Sequence, residues 1–246
     1  MILTGKTALI TGAARRIGAQ TAQTLHENGA NIIIHYGQSA WAAQDLVERL
    51  NEKREDSAKA LQADLLDIDA VNQLAKDAFE SFGGLDILVN NASTFYPTPL
   101  GTIDQRQWDD LMGTNIKAPL FLSQACHEAL KRSGGSIINM VEIHARSPLK
   151  DHVTYSCAKA AKIMLTRSLA LEMGPEVRVN AIAPGAILWP DGEQGMDPGV
   201  QQEILDKIPL QRRGEPHNIA DAILFLVSND YVNGQVIAID GGRQLF

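Results

Sequence analysis

Short apolar runs alternate with longer amphipathic stretches along the whole chain. Residues 7–10 (Thr-Ala-Leu-Ile) predict a buried strand, followed by a turn containing glycine. Ile17, Thr21, Ala22 and Leu25 then fall on one helical face, and Asn28-Gly29 stops that helix. Residues 31–34 predict a second strand and 40–53 a second helix. Further strands are expected at 58–63, 85–90, 136–141, 177–182 and 235–239, and helices near 68–82, 105–131, 152–173 and 216–228. The strands are apolar throughout rather than alternating, as in a parallel sheet covered on both faces. Seven such strands separated by helices predict a single-domain α/β fold with a doubly wound parallel sheet.

Composition adds exclusions. The 246 residues are 45% hydrophobic and 21% charged, a globular balance. Twenty-two basic against 29 acidic residues give a net charge of -7, so no basic field favours nucleic acid or an anionic membrane. The only two cysteines, Cys126 and Cys157, cannot build a disulfide framework, and residues 1–6 lack the pattern of a signal peptide. A cytoplasmic protein without membrane spans is expected. The six histidines form no H-E-x-x-H pair and the cysteines no C-x-x-C, so no metal motif is visible.

The first strand runs straight into Thr11-Gly12-Ala13-Ala14-Arg15-Arg16-Ile17-Gly18, where a helix begins. Glycines at 12 and 18 permit a tight turn and close helix–sheet packing, and the N–H groups of the helix start suit a pyrophosphate. This is a Rossmann-like arrangement, with Arg16 standing where the middle glycine of the fingerprint belongs. The second strand ends in His35-Tyr36-Gly37-Gln38-Ser39 with no carboxylate to bind a ribose 2′-hydroxyl. Arg16 and the His35 imidazole instead favour a 2′-phosphate, hence NADPH.

Tyr155 and Lys159 lie one helical turn apart on one face. An ammonium near a phenol lowers the phenol's pKa and fits it for proton transfer. Such a pair alone also occurs on ordinary helix surfaces. It coincides here with the Gly12–Gly18 turn, Asn90-Asn91-Ala92 after the fourth strand, Asn115, Pro184-Gly185 after the sixth and a closing Asp240-Gly241-Gly242. On these motifs the chain resembles the short-chain dehydrogenase/reductases over essentially its whole length. The resemblance implies that Tyr155 donates the proton, that Lys159 holds the nicotinamide ribose, and that Asn115 helps carry a relay water. Asp64, with Leu65 beside it, would sit by the adenine.

Ordinary members carry a serine thirteen residues before the tyrosine, where it polarises a carbonyl. This chain has Glu142. An ionised carboxylate donates no hydrogen bond and repels a developing alkoxide, but it suits a nitrogen heterocycle whose C=N bond is reduced. With Arg16 and the run Asn91-Ala92-Ser93-Thr94-Phe95, this narrows the resemblance to the pteridine reductases and dihydromonapterin reductases, which usually have Asp at this position.

By that resemblance Gly12, Arg16, Ile17, Gly18, His35, Tyr36, Ser39, Asp64, Leu65, Asn91, Ala92, Ser93, Tyr155, Lys159, Pro184 and Gly185 bind the cofactor. Arg16, Ser93, Phe95, Glu142 and Tyr155 meet a pterin or dihydrofolate, and Phe95 stacks on the ring. The resemblance also implies a homotetramer. Residues 184–198, crowded with Gly, Pro and Asp around Trp189, are the expected substrate loop. The rival functions are an ordinary carbonyl reductase, such as a 3-oxoacyl carrier-protein reductase, and a non-enzymatic NADP-sensing regulator.

Overall fold

The computed structural model describes residues 2–189 and 196–245. Seven parallel strands form one sheet in the order β3-β2-β1-β4-β5-β6-β7. They are β1 (Thr7–Ile10), β2 (Asn31–Tyr36), β3 (Ala58–Gln62), β4 (Ile87–Asn90), β5 (Ser136–Met140), β6 (Arg178–Pro184) and β7 (Val236–Ile239). The helices are α1 (Arg16–Glu27), α2 (Ala40–Lys53), α3 (Ile68–Phe82), α4 (Gln105–Met112), α5 (Ala118–Ser133), α6 (Val153–Glu172), α7 (Pro198–Asp206) and α8 (Pro216–Ser228). The expected single Rossmann-like domain is what the chain forms.

Successive strand residues serve opposite faces, which is why the apolar runs are unbroken. Ile10, Ile32 and Ile34 pack with Leu25 of α1, Leu46 of α2 and Ile219 and Ile223 of α8. Leu9, Ile33, Leu88 and Ile137 pack with Leu74 of α3 and Leu122 and Leu130 of α5. Burying each such Leu or Ile side chain contributes about 1.5–3 kcal/mol. Chain order reverses between β1 and β4, and the crevice at the C-terminal ends of those strands is where such sheets bind ligands.

Two predicted elements are corrected. The helix expected over 105–131 is two helices, because residues Gly113–Lys117 form a π-helical turn between α4 and α5. A wider turn inserts one residue without breaking the apolar face, so hydrophobic periodicity does not reveal it. Within the expected loop 184–198, Asp197 caps α7 by accepting from the Gly199 and Val200 N–H groups. Residues 190–195 of that loop lie outside the described residues.

Candidate active site

The turn after β1 lines a cavity of about 960 Å³ at the β1/β4 crevice. A Cβ at Gly12, whose φ is +61°, would lie 3.0 Å from Ala92 Cα, and one at Gly18 would lie 2.6 Å from Gly12 O. Only glycine permits this closeness of turn, helix and β4. Thr11 pins the same place: its Oγ1 accepts from the N–H groups of Asn91 and Ala92, each at 3.0 Å. Asn91 Nδ2 donates to Thr11 O at 2.8 Å.

Side-chain oxygens cap α3, α4 and α7, whereas α1 has no side-chain cap and no acidic residue in its first turn. Its free N–H groups open beside Gly12, Ile17 and Gly18 in the cavity wall, an arrangement that favours a bound anion. Arg16 begins this helix at φ +56°, the left-handed region that glycine adopts freely. Arg16 thus holds a backbone conformation suited to the fingerprint's glycine, at a cost of about 1–2 kcal/mol.

Arg15, Arg16, Gln38, Asp64, Leu65, Asn91, Ala92 and Ser93 are among the residues facing this cavity. Asp64 also accepts the Leu66 N–H at 2.9 Å, which fixes the loop after β3. The residues thus fit an extended dinucleotide: a glycine turn, an uncapped helix start and two guanidiniums at one end, and the β4 loop at the other.

Three expectations near the second strand change. His35 faces the cavity, but Nδ1 accepts the Gly12 N–H at 3.1 Å, so Nε2 carries the proton donated to Ala63 O at 3.2 Å. Burial also lowers its pKa. The neutral imidazole is committed to bracing the turn and has no donor left for a phosphate. Tyr36 packs partly buried against the core, and Ser39 sits at the N-terminus of α2; neither is in the cavity lining. Gln38, between them, is.

The second half of the site is built by α6 and the end of β5. Tyr155 and Lys159 are buried, with Lys159 Nζ 5.4 Å from the phenol ring centroid and donating to Met140 O at 3.2 Å. Burial, opposed by the Glu142 carboxylate, lowers the Lys159 pKa to about 8. The Tyr155 phenol is pushed up, first by burial and then by the charge of Glu142. The lysine four residues on is expected to acidify the phenol and Glu142 to oppose it; burial and the carboxylate together favour the protonated form. Oε2 of Glu142 is buried with no hydrogen-bond partner among the described residues.

Phe95 is about half exposed, stacks on His152 at 4.7 Å and meets Tyr155 edge-on at 4.8 Å. It forms an aromatic wall directly over the phenol. Asn115 lies in the π-helical turn, where its Nδ2 donates to Leu111 O and Thr94 O, each at 3.0 Å. Its Oδ1 accepts from Ser93 Oγ at 2.7 Å. The side chain expected to help carry a water is engaged in fastening the 93–94 segment to the helix. Pro184 ends β6 and Gly185 follows it, donating its N–H to Ile239 O at 3.0 Å.

A family model described as enoyl-(acyl carrier protein) reductase matches residues 12–244. The chain belongs to the short-chain dehydrogenase/reductase family. Its relatives include a 3-oxoacyl-[acyl-carrier-protein] reductase FabG of Staphylococcus aureus, 35% identical over 244 residues and 98% of both chains. Pteridine reductase 1 of Leishmania tarentolae is 34% identical over 284 aligned positions, covering 98% of this chain and 97% of that one. A hydroxynaphthalene reductase-like protein Arp2 of Metarhizium robertsii is 35% identical, with 98% and 95% covered. This short-chain reductase is an oxidoreductase, and reductases of its family use NAD(P)H.

Sequence reasoning missed several groups at the site. Arg15, Gln62, Thr94, Asp110 and Thr114 also line the cavity. Lys162, three residues beyond Lys159, is fully buried with Nζ donating to Asn90 O at 3.3 Å. A second lysine at helical spacing on an apolar face was the available signal.

Proposed function

We propose that this chain is an NADPH-dependent pteridine reductase that converts a dihydropterin, and dihydrofolate, to the tetrahydro form. The observation that carries this reading is Glu142: its carboxylate stands beside the buried Tyr155 phenol and raises its pKa. A ketone reductase needs a donor to polarise the carbonyl there, and a carboxylate offers none. The similar identity to FabG makes ketone reduction the rival, and the charge at position 142 stands against it.

The bound nicotinamide dinucleotide supplies the hydride. Arg15 and Arg16 hold its phosphates at the α1 end of the cavity, without an acid at the end of β2 to repel a 2′-phosphate. Asp64 and Leu65 flank the adenine. Lys159, fixed on Met140 O, is placed for the ribose. Phe95 stacks on the pterin. Tyr155 gives the proton from Oη to the ring nitrogen, and Glu142 keeps that proton on the phenol until then.

The test is NADPH oxidation with dihydrobiopterin, dihydromonapterin, dihydrofolate and a β-ketoacyl thioester. Turnover of the first three, cut about 10²–10⁴-fold in Glu142→Ala with NADPH binding retained, supports the reading. Efficient ketoacyl reduction without pterin turnover refutes it.

A further inference from the structure

Each pterin reduced consumes one proton, and Tyr155 is buried, so its phenolate must be refilled from solvent by another group. Glu142 ends β5's path and precedes a short 3-10 turn, Ile143–Ala145, that carries His144. His144 Nε2 lies 4.0 Å from Glu142 Oε1, with the two side chains 20% and 22% exposed. The other ring nitrogen is fixed: His144 Nδ1 lies 3.0 Å from Ser147 O, and a carbonyl only accepts, so Nδ1 bears a hydrogen. The neutral ring therefore presents a bare Nε2 to the carboxylate, and a proton taken from solvent must sit on that nitrogen, facing Glu142. Glu142 Oε2 is buried and unpartnered among the described residues, and the same carboxylate raises the Tyr155 pKa.

We infer that His144 is the proton port of this reductase, passing protons from solvent through Glu142 to Tyr155. This rests on the pteridine reading above. The imidazolium gives its Nε2 proton to Glu142 Oε1, and the resulting carboxyl turns and gives that same proton to the Tyr155 phenolate left when Oη protonates the ring nitrogen. Imidazole then takes a proton from water, so each hydride transferred draws one proton from solvent and no group ends changed. The 4.0 Å gap is closed by about 1 Å of carboxylate movement or by one bridging water.

Charged and titratable groups around His144 are Glu142 and Arg146 on its own segment and, on α6 packed against that turn, His152 at the N-terminus, Tyr155 and Lys159. Glu142 is the acid among them, and it stands within ion-pair distance. His144 touches neither the substrate nor the nicotinamide in this scheme, so it is a positioning and supply residue rather than a catalytic one.

The experiment compares the unmodified enzyme with His144→Asn, whose amide can still donate to Ser147 O but lacks Nε2, and with His144→Ala. Dihydropterin kcat is measured from pH 6 to pH 9, with melting curves and NADPH binding as folding controls. The expected ratio of unmodified to Asn variant is about 10 at pH 6 and smaller at pH 9, with KM unchanged. Added imidazole should restore kcat in His144→Ala at pH 6 and leave the unmodified enzyme unaffected. Pterin turnover with a pH-independent ratio, or without imidazole rescue, overturns the role of His144 alone. Absence of pterin turnover in the unmodified enzyme overturns the pteridine reading and this inference with it.

Discussion

Arg16→Gly separates what the backbone wants at position 16 from what the ligand wants. The residue sits at φ +56°, where an L side chain costs about 1–2 kcal/mol and glycine nothing. Glycine returns about 0.5–1 kcal/mol of that through its freer unfolded chain. The empty variant should therefore be as stable as the parent or more so by up to about 1.5 kcal/mol, which is about 3–6 °C in Tm for a chain of this size. Ligand binding should move the other way. Losing a hydrogen bond to a charged phosphate costs about 1.5–3 kcal/mol, or about 10- to 150-fold in Kd. NADH lacks the 2′-phosphate and should lose much less. Calorimetric melting of the empty protein and fluorescence titration with both nucleotides measure the two effects independently. Equal weakening of NADPH and NADH would remove Arg16 from cofactor choice. A Tm several degrees lower would show that the arginine stabilises the turn after all.

Phe95→Ala should raise the pterin KM by about 5- to 150-fold, from a stacking contribution of about 1–3 kcal/mol, while NADPH affinity and Tm hold, since the ring is half exposed; steady-state kinetics with a lowered Tm and unchanged KM would make it a structural anchor. Lys162→Met should raise Tm at pH 7. Burial, and then the Lys159 charge, hold the folded-state pKa of Lys162 far below the ordinary lysine value, so the unfolded chain gains a proton that the folded one refuses. That penalty fades as pH rises towards 10.5, and the stabilisation should shrink between pH 7 and pH 10; a variant that melts lower at pH 7 would show that the bond to Asn90 O outweighs it. His26, hydrogen-bonded to Ser57 and held at a pKa of about 4 first by burial and then by Arg54 and Lys53, makes the same argument in acid. Stability should fall as pH drops from 6.5 towards 4, because only the unfolded chain takes the proton, and urea midpoints of His26→Gln should vary less over that range.

The hydrophobic pattern marked seven strands of a parallel sheet with helices on both faces, but not the strand order, the π-helical turn between α4 and α5, or α7. A strand buried on both faces must be apolar at every position, and a covering helix must repeat its apolar face every three to four residues. The glycine turn, the Tyr155–Lys159 spacing and the unexpected Glu142 were equally legible, because each depends on residue type at short range. What tertiary structure decided was how each group spends its hydrogen bonds. His35 looked like a phosphate donor, but both its nitrogens brace the turn; Asn115 looked like a holder of a relay water, but its amide fastens Ser93 and Thr94. The burial that is the first cause of the upward Tyr155 shift comes only from packing, since no spacing in the sequence shows how deeply the phenol sits. The same holds for His144, which lies two residues from Glu142 in the sequence. Its meaning comes from a short turn that ties Nδ1 to Ser147 O and so aims Nε2 at the carboxylate, a choice between two ring nitrogens that no spacing encodes.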